Sequence, residues 1–312
     1  MQIGMIGLGR MGFNMARRLM TGGHSVVAYN RTFSKTEALA REGAVAADSL
    51  RGLVDKLSPP RFLWLMLPAG GPVDEHLNHL QGLLSPGDGV IDGGNTFYKD
   101  DLRRMRFLSE KGIGLVDAGV SGGIWGLEIG YCLTVGGPQA LFTQIEPVFK
   151  TLAPPGGYLY CGDTGAGHFV KMVHNGIEYG MMQAYGEGFE LLEASPYAAS
   201  LNLADVAHAW NRGSVIRSWL LELAEAAFSK DERLSDIQGY IEDSGEGRWA
   251  IQQAIETGVS APVITHALMR RLRSRNREPF SDRLVAALRR EFGGHTVHMT
   301  SPEGEETDES SE

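Results

Sequence analysis

Only two cysteines, Cys132 and Cys161, occur in 312 residues, and they have neither the number nor the spacing of a disulfide framework or a metal site. Both are expected to be reduced, small, apolar residues. No apolar run approaches the ~20 residues needed to span a bilayer, so no membrane segment is expected. No basic leader precedes the first glycine-punctuated segment, and the cytoplasm is the expected location. Positive charge is also scarce, with 29 Lys and Arg against 38 Asp and Glu and a net charge of −9. Glu303, Glu305, Glu306, Asp308, Glu309 and Glu312 crowd the end of the chain, and setting those six aside leaves the body at −3. Such a body has no bulk attraction to nucleic acid, so an anionic ligand has to be held by individually placed arginines. Residues 297–312 are expected to form a disordered acidic tail, because nothing large and apolar anchors their end.

What is present suits a globular protein of about two domains, with 43% hydrophobic and 21% charged residues. The first half alternates short apolar runs with amphipathic stretches. Strands are expected at 2–6, 26–29, 62–67, 90–92, 115–118 and 133–135, and helices at 11–20, 34–41, 99–111 and 138–149. Alternation of this kind predicts right-handed crossovers and a doubly wound, Rossmann-type parallel sheet. From Ala166 to Leu192 there is no proline and the period is helical throughout, about 40 Å of helix at 1.5 Å per residue. Further helical patterns follow at 203–211, 219–228, 249–256, 262–273 and 282–292, with no strand expected after Cys161. The reading is an α/β domain over 1–165, an all-helical domain over 166–296, and a site at their junction.

Gly7-Leu8-Gly9-Arg10-Met11-Gly12 follows the first strand and opens the first helix. In that context the spacing suits a dinucleotide, whose pyrophosphate sits at the positive helix end. The second strand ends in Asn30-Arg31-Thr32, without the acid that accepts from a ribose 2′-hydroxyl. Arg31 can pair with a 2′-phosphate, with Asn30 and Thr32 as donors, so NADP is expected over NAD, which remains possible.

The most informative segment is the start of the long helix. Lys171, His174, Asn175 and Glu178 sit at i, i+3, i+4 and i+7 and share one helical face, while Phe169, Val170, Met172, Val173 and Ile177 around them are apolar. Gly165, Gly167 and Gly176 weaken the helix but permit close approach of backbone or ligand. One reading is an amphipathic surface helix; the other is a largely buried helix presenting an amine and a carboxylate to a ligand. A partly desolvated lysine there can lose its proton near neutral pH and act as a base.

At these residues the sequence resembles the 6-phosphogluconate dehydrogenases, over nearly the whole chain up to His295. Gly7–Gly12, Asn30-Arg31-Thr32, Asp92-Gly93-Gly94-Asn95, Ser121-Gly122-Gly123, Lys171–Tyr179 and Phe292-Gly293-Gly294-His295 carry the likeness, and the length is similar to the family's shorter branch. The resemblance implies oxidative decarboxylation of 6-phosphogluconate to ribulose 5-phosphate and CO₂, with hydride passing to NADP, in the pentose phosphate pathway or gluconate utilisation. It implies that Lys171 is the general base, that Glu178 is the acid that protonates the enediol, and that no metal takes part. Asn95, Ser121, Gly122, Gly123, His174 and Asn175 would hold the sugar and its carboxylate. Tyr179 would contact the phosphate, and Asn95 would also meet the cofactor held by Gly7, Gly9, Arg10, Met11, Gly12, Asn30, Arg31 and Thr32. Arg289 and His295 fall where a neighbouring subunit lends residues to the phosphate end, implying a homodimer or homotetramer. Arg248 stands in place of a phosphate-binding lysine of long members. Of Arg270, Arg271, Arg273, Arg275 and Arg277, Arg275 is the preferred phosphate ligand. The alternatives are a β-hydroxyacid dehydrogenase acting on a small unphosphorylated acid and a non-catalytic NADP-binding regulator.

Overall fold

A computed structural model describes residues 1–294 and 296–298. His295 and the 299–312 stretch, which holds the acidic end, lie outside the described residues. Strands β1 (Gln2–Ile6), β2 (Ser25–Tyr29), β3 (Val45–Ala46), β4 (Phe62–Leu65), β5 (Gly89–Asp92), β6 (Gly114–Ser121), β7 (Cys132–Gly136) and β8 (Tyr158–Gly162) form one sheet. Its order is β3-β2-β1-β4-β5-β6-β7-β8. Helices α1 (Arg10–Thr21), α2 (Phe33–Ala40), α3 (Leu50–Asp55), α4 (Gly71–Gln81), α5 (Tyr98–Ser109), α6 (Gly126–Ile129) and α7 (Gln139–Leu152) connect the strands. Beyond β8 the described residues are helical: α8 (Ala166–Glu193), α9 (Leu203–Trp210), α10 (Trp219–Phe228), α11 (Glu246–Thr257), α12 (Pro262–Arg273) and α13 (Phe280–Gly293). This is the doubly wound α/β fold followed by helices that the sequence pattern predicts.

All four residues of β4 (FLWL) and of β5 (GVID) are buried, as strands covered on both faces must be. One covering layer packs Met15, Leu19, Val148 and Phe149 on Trp64 and Ile91. The other packs Leu53, Leu77, Leu80 and Leu108 on Leu63 and Val90. Each such side chain contributes about 1.5–3 kcal/mol on burial. Trp64, wholly buried and edge-on to Phe149 at 6.0 Å between centroids, is the largest single anchor.

One strand departs from expectation. β6 and β7 pair antiparallel, Ala118 opposite Val135 and Ser121 opposite Cys132, whereas the other pairs are parallel. The reason is length: residues 122–131 hold only a 3₁₀ turn and the one-turn α6. A parallel crossover needs a dozen or more residues with a full helix. The structure also adds β3, β8, α3, α4 and α6, which the sequence pattern does not predict. No helix among the described residues is long and apolar enough to cross a membrane.

Candidate active site

The β1–α1 turn is built for close approach. Gly7 has φ +92°, and a Cβ there would lie 2.4 Å from the Met66 carbonyl oxygen; a Cβ on Gly12 would lie 2.1 Å from that of Gly7. Above Gly9, the N-cap of α1, nothing stands within 4 Å of a Cβ position, and no side chain caps the helix. Open space over uncapped N–H groups fits a pyrophosphate. Asn30 is committed to the turn itself: its Oδ1 accepts from the Leu8 N–H at 2.9 Å and its Nδ2 donates to the Thr32 carbonyl at 3.0 Å. Arg10, Arg31 and Thr32 are exposed, and Arg31 has no ion pair among the described residues.

The second wall is the turn after β5. Asp92, fully buried, accepts from the Gly94 N–H at 3.0 Å and Thr96 Oγ1 at 2.9 Å and pairs with Arg104 at 3.2 Å. That fixes Asn95, whose Nδ2 donates to the Ser244 carbonyl at 3.2 Å, just before α11.

The third wall is α8. Asp117, at the middle of β6, accepts from the Gly165 N–H at 2.6 Å and the His168 N–H at 2.8 Å, so a buried carboxylate takes two free N–H groups at the helix start. Behind it, His168 Nδ1 and Asp101 Oδ2 are 2.7 Å apart and buried. Burial pushes the Asp101 carboxyl up to about 7, although His168 draws it down. Burial also disfavours the imidazolium of His168, but Asp101, Asp92 and Asp117 outweigh it and hold the group up, to about 10. Where α8 meets β6, a Cβ on Gly119 would come within 2.4 Å of Lys171 Cβ, so glycine there lets the lysine seat against the sheet.

These walls enclose a cleft of about 1120 Å³. Met11 of the nucleotide turn, Gly94, Asn95, Ser121, Gly122 and Gly123 line it. Lys171, His174, Asn175 and Glu178 all face into it. The lysine donates to Asn175 Oδ1, and its Nζ is 3.3 Å from His174 Nδ1, which is 3.8 Å from Glu178 Oε2. Burial lowers the Lys171 pKa, opposed by Glu178, Glu246 and Cys132. The helix is less buried than the sharper sequence reading expects, because Val170, Val173 and Ile177 are more than a third exposed and line the cleft themselves. Trp125 and Trp219 add to this apolar wall around the polar row.

The other residues singled out in the sequence fall elsewhere. Tyr179 is buried beneath the cleft, its hydroxyl accepting from the Ser244 N–H at 3.2 Å. Arg248 and Arg275 both pair with Asp243, at 3.0 and 2.9 Å. Arg289 is exposed on α13, away from the cleft-lining set, and His295 is outside the described residues. Arg271, which the sequence reading ranks below Arg275, and Glu246, which it does not single out, come forward instead. Arg271 lies over the Tyr179 ring, its guanidinium carbon 3.4 Å from the centroid. Glu246 opens α11 and is buried at 1% exposure, and burial pushes its carboxyl up to about 7 against the pull of Lys171 and His168. The cysteines are free; Cys161 is half-buried and Cys132 is exposed.

Comparison with known proteins agrees with this geometry. The profile of the NAD binding domain of 6-phosphogluconate dehydrogenase matches residues 2–162, and that of the 6-phosphogluconate dehydrogenase C-terminal domain matches residues 167–281. A Haloferax volcanii protein named as an NAD(+)-dependent, decarboxylating 6-phosphogluconate dehydrogenase is 46% identical over 299 residues, 95% of this chain and 98% of that one. The solved 6-phosphogluconate dehydrogenase of Plasmodium falciparum superposes with a TM-score of 0.81 at 28% identity, covering 98% of this chain and 67% of that one. A 3-hydroxyisobutyrate dehydrogenase of Mycobacterium tuberculosis shares the fold, at a TM-score of 0.69 and 22% identity over 85% of this chain and 90% of that one. Fold and cleft together define an oxidoreductase with an NAD(P)-binding sheet domain. More narrowly, the chain belongs to the 6-phosphogluconate dehydrogenase family.

Proposed function

We propose that the protein oxidises 6-phosphogluconate at C3 and decarboxylates the product, releasing CO₂ and ribulose 5-phosphate, with NADP as the favoured acceptor. The observation that carries this reading is the Lys171–His174–Glu178 row turned into the cleft, opposite Ser121–Gly123 and beside the nucleotide turn. NADP would be held at its pyrophosphate by Gly7–Gly12 and at its 2′-phosphate by Arg31 and Thr32, and its nicotinamide would supply the hydride acceptor. Lys171, as the free amine its burial favours, takes the proton of the 3-hydroxyl as C3 is oxidised. The resulting ammonium polarises the 3-carbonyl; the C1–C2 bond breaks, CO₂ leaves, and the electron pair moves into an enediol whose oxygen takes the proton back. Glu178 then delivers a proton to the carbon that bore the carboxylate, C1 of the product, while Lys171, again the free amine, takes the enediol hydroxyl proton and the 2-carbonyl forms. Asn95, Ser121, Gly122, Gly123, His174 and Asn175 are assigned to the hydroxyls and carboxylate.

For the phosphate end we assign Arg271 beside Tyr179, because Arg248 and Arg275 are already paired with Asp243. Oligomerisation fits the same reading. The exposed apolar residues Phe280, Leu284, Val285 and Leu288 on α13 need a cover, and a second copy placed there brings Arg289 and His295 to a neighbouring site. The division at residue 165 separates the nucleotide-holding sheet domain from the helical domain, and the substrate is held by residues from both.

A spectrophotometric assay with 6-phosphogluconate and with 3-hydroxyisobutyrate, each with NADP and NAD, tests the reading. The expected result is turnover of the phosphorylated acid alone, faster with NADP. Turnover of the small acid alone identifies a β-hydroxyacid dehydrogenase, and a preference for NAD, as in the name of the Haloferax relative, overturns the cofactor assignment.

A further inference from the structure

Glu246 is a buried carboxyl that the proposed mechanism does not use. It is the first residue of α11, only 1% exposed, and its Oε2 meets no hydrogen-bond partner. A carboxylate without partners away from water is costly, so the group is kept for a reason or kept neutral. It does not line the cleft; Ser244, two residues before it, does, as does Lys171 of α8, the helix against which α11 packs. The charged groups facing it are Lys171, His168 and Glu178, all from α8. From α12, Arg271 lies beyond the Tyr179 ring, which itself packs against Gly247. Cys132 of β7 faces Lys171 as well.

We propose that Glu246 is a positioning residue of the reaction, which acts through Lys171 and sets the pH at which that lysine becomes a free amine. The inference rests on Lys171 being the base. With a proton on it, Glu246 exerts no net charge on the amine. As the carboxylate it holds a proton on Lys171 more tightly, since its charge raises the lysine's pKa. The changeover falls where burial has moved the Glu246 carboxyl, at about 7. Lys171 is thereby easiest to deprotonate while Glu246 is neutral.

The test is the pH profile of kcat/KM for 6-phosphogluconate in the wild type, Glu246→Gln, Glu246→Met and Glu246→Asp, with Lys171→Met alongside. Gln and Met have similar length and no charge, so the acid limb is expected to move to lower pH by roughly half a unit to one unit, as for removal of a nearby opposite charge. Asp is expected to restore most of the wild-type profile, and NADP affinity is expected to stay unaltered. Having both Gln and Met means that one variant failing to fold leaves the other to report. A profile superimposable on the wild type in either folded variant overturns the proposal and leaves the Lys171 assignment standing. Turnover retained by Lys171→Met instead overturns that assignment, whatever the Glu246 variants do.

Discussion

Lys171 Nζ lies 3.3 Å from His174 Nδ1, one turn along the same helix. The same ring nitrogen lies 3.8 Å from Glu178 Oε2, so one imidazole stands between the amine and the carboxyl. Seven residues of α-helix rise about 10 Å, too far for the two end groups to neutralise each other in contact, yet both line the one cleft. Separate groups for taking and giving protons follow from that spacing.

Glu178→Gln keeps the size and hydrogen bonding of the side chain but cannot donate a carboxyl proton. Its kcat is expected to fall by roughly 10²-fold or more, the usual weight of a positioned acid, with NADP affinity unaltered. Steady-state kinetics with a separate cofactor titration checks this; a wild-type kcat removes Glu178 from the chemistry.

Arg31 is exposed at the end of β2 without an ion pair, and Asn30 is occupied in holding the turn. Arg31→Ala is therefore expected to lower kcat/KM for NADP by roughly 10-fold or more, the weight of one hydrogen bond to a charged group, and to leave NAD kinetics unaltered. Equal losses with both cofactors contradict the assignment of Arg31 to the 2′-phosphate.

The buried His168–Asp101 pair makes stability depend on pH. His168 is held protonated up to about 10 in the folded chain against an ordinary 6.5, so its contribution is complete below 6.5 and is lost as pH rises to about 10. Asp101, raised to about 7 from 3.8, has the same sign, since the folded state again holds more protons than the unfolded one. Urea unfolding is expected to show a gap between the wild type and His168→Gln that is wide at pH 6.5 and narrower at pH 10. A gap independent of pH shows that the pair stays neutral throughout.

The proposed pairing of copies through the apolar face of α13 predicts that assembly and activity fall together. Leu284→Asp is expected to shift the protein to monomers in analytical ultracentrifugation and to raise KM for 6-phosphogluconate, because Arg289 and His295 no longer reach a neighbouring phosphate site. An active monomer refutes the shared site.

Much of this architecture was legible because its signals are local. The apolar β4, too short for a helix, could only be a buried strand, and the i, i+3, i+4, i+7 spacing of Lys171, His174, Asn175 and Glu178 puts them on one face whatever the tertiary context. α4 escaped notice because Gly70-Gly71-Pro72 reads as a loop, although proline at a first helical position marks a start. The reversed β7 depends on the length of its connection rather than on any pattern within the strand. Among five arginines in eight residues, only packing shows that Arg271 reaches Tyr179 while Arg275 is taken by Asp243. Glu246 looks like an ordinary acid in the first turn of a helix; its burial comes from α11 lying against α8, which no local pattern reveals.

The most direct test is a count of ¹⁴CO₂ released from C1-labelled 6-phosphogluconate against NADPH formed, in the wild type and in Lys171→Met. One CO₂ for each NADPH is expected from the wild type, with both falling together by roughly 10²–10⁴-fold in the variant while NADP still binds. NADPH formed without CO₂, or both formed at the wild-type rate without Lys171, contradicts the account.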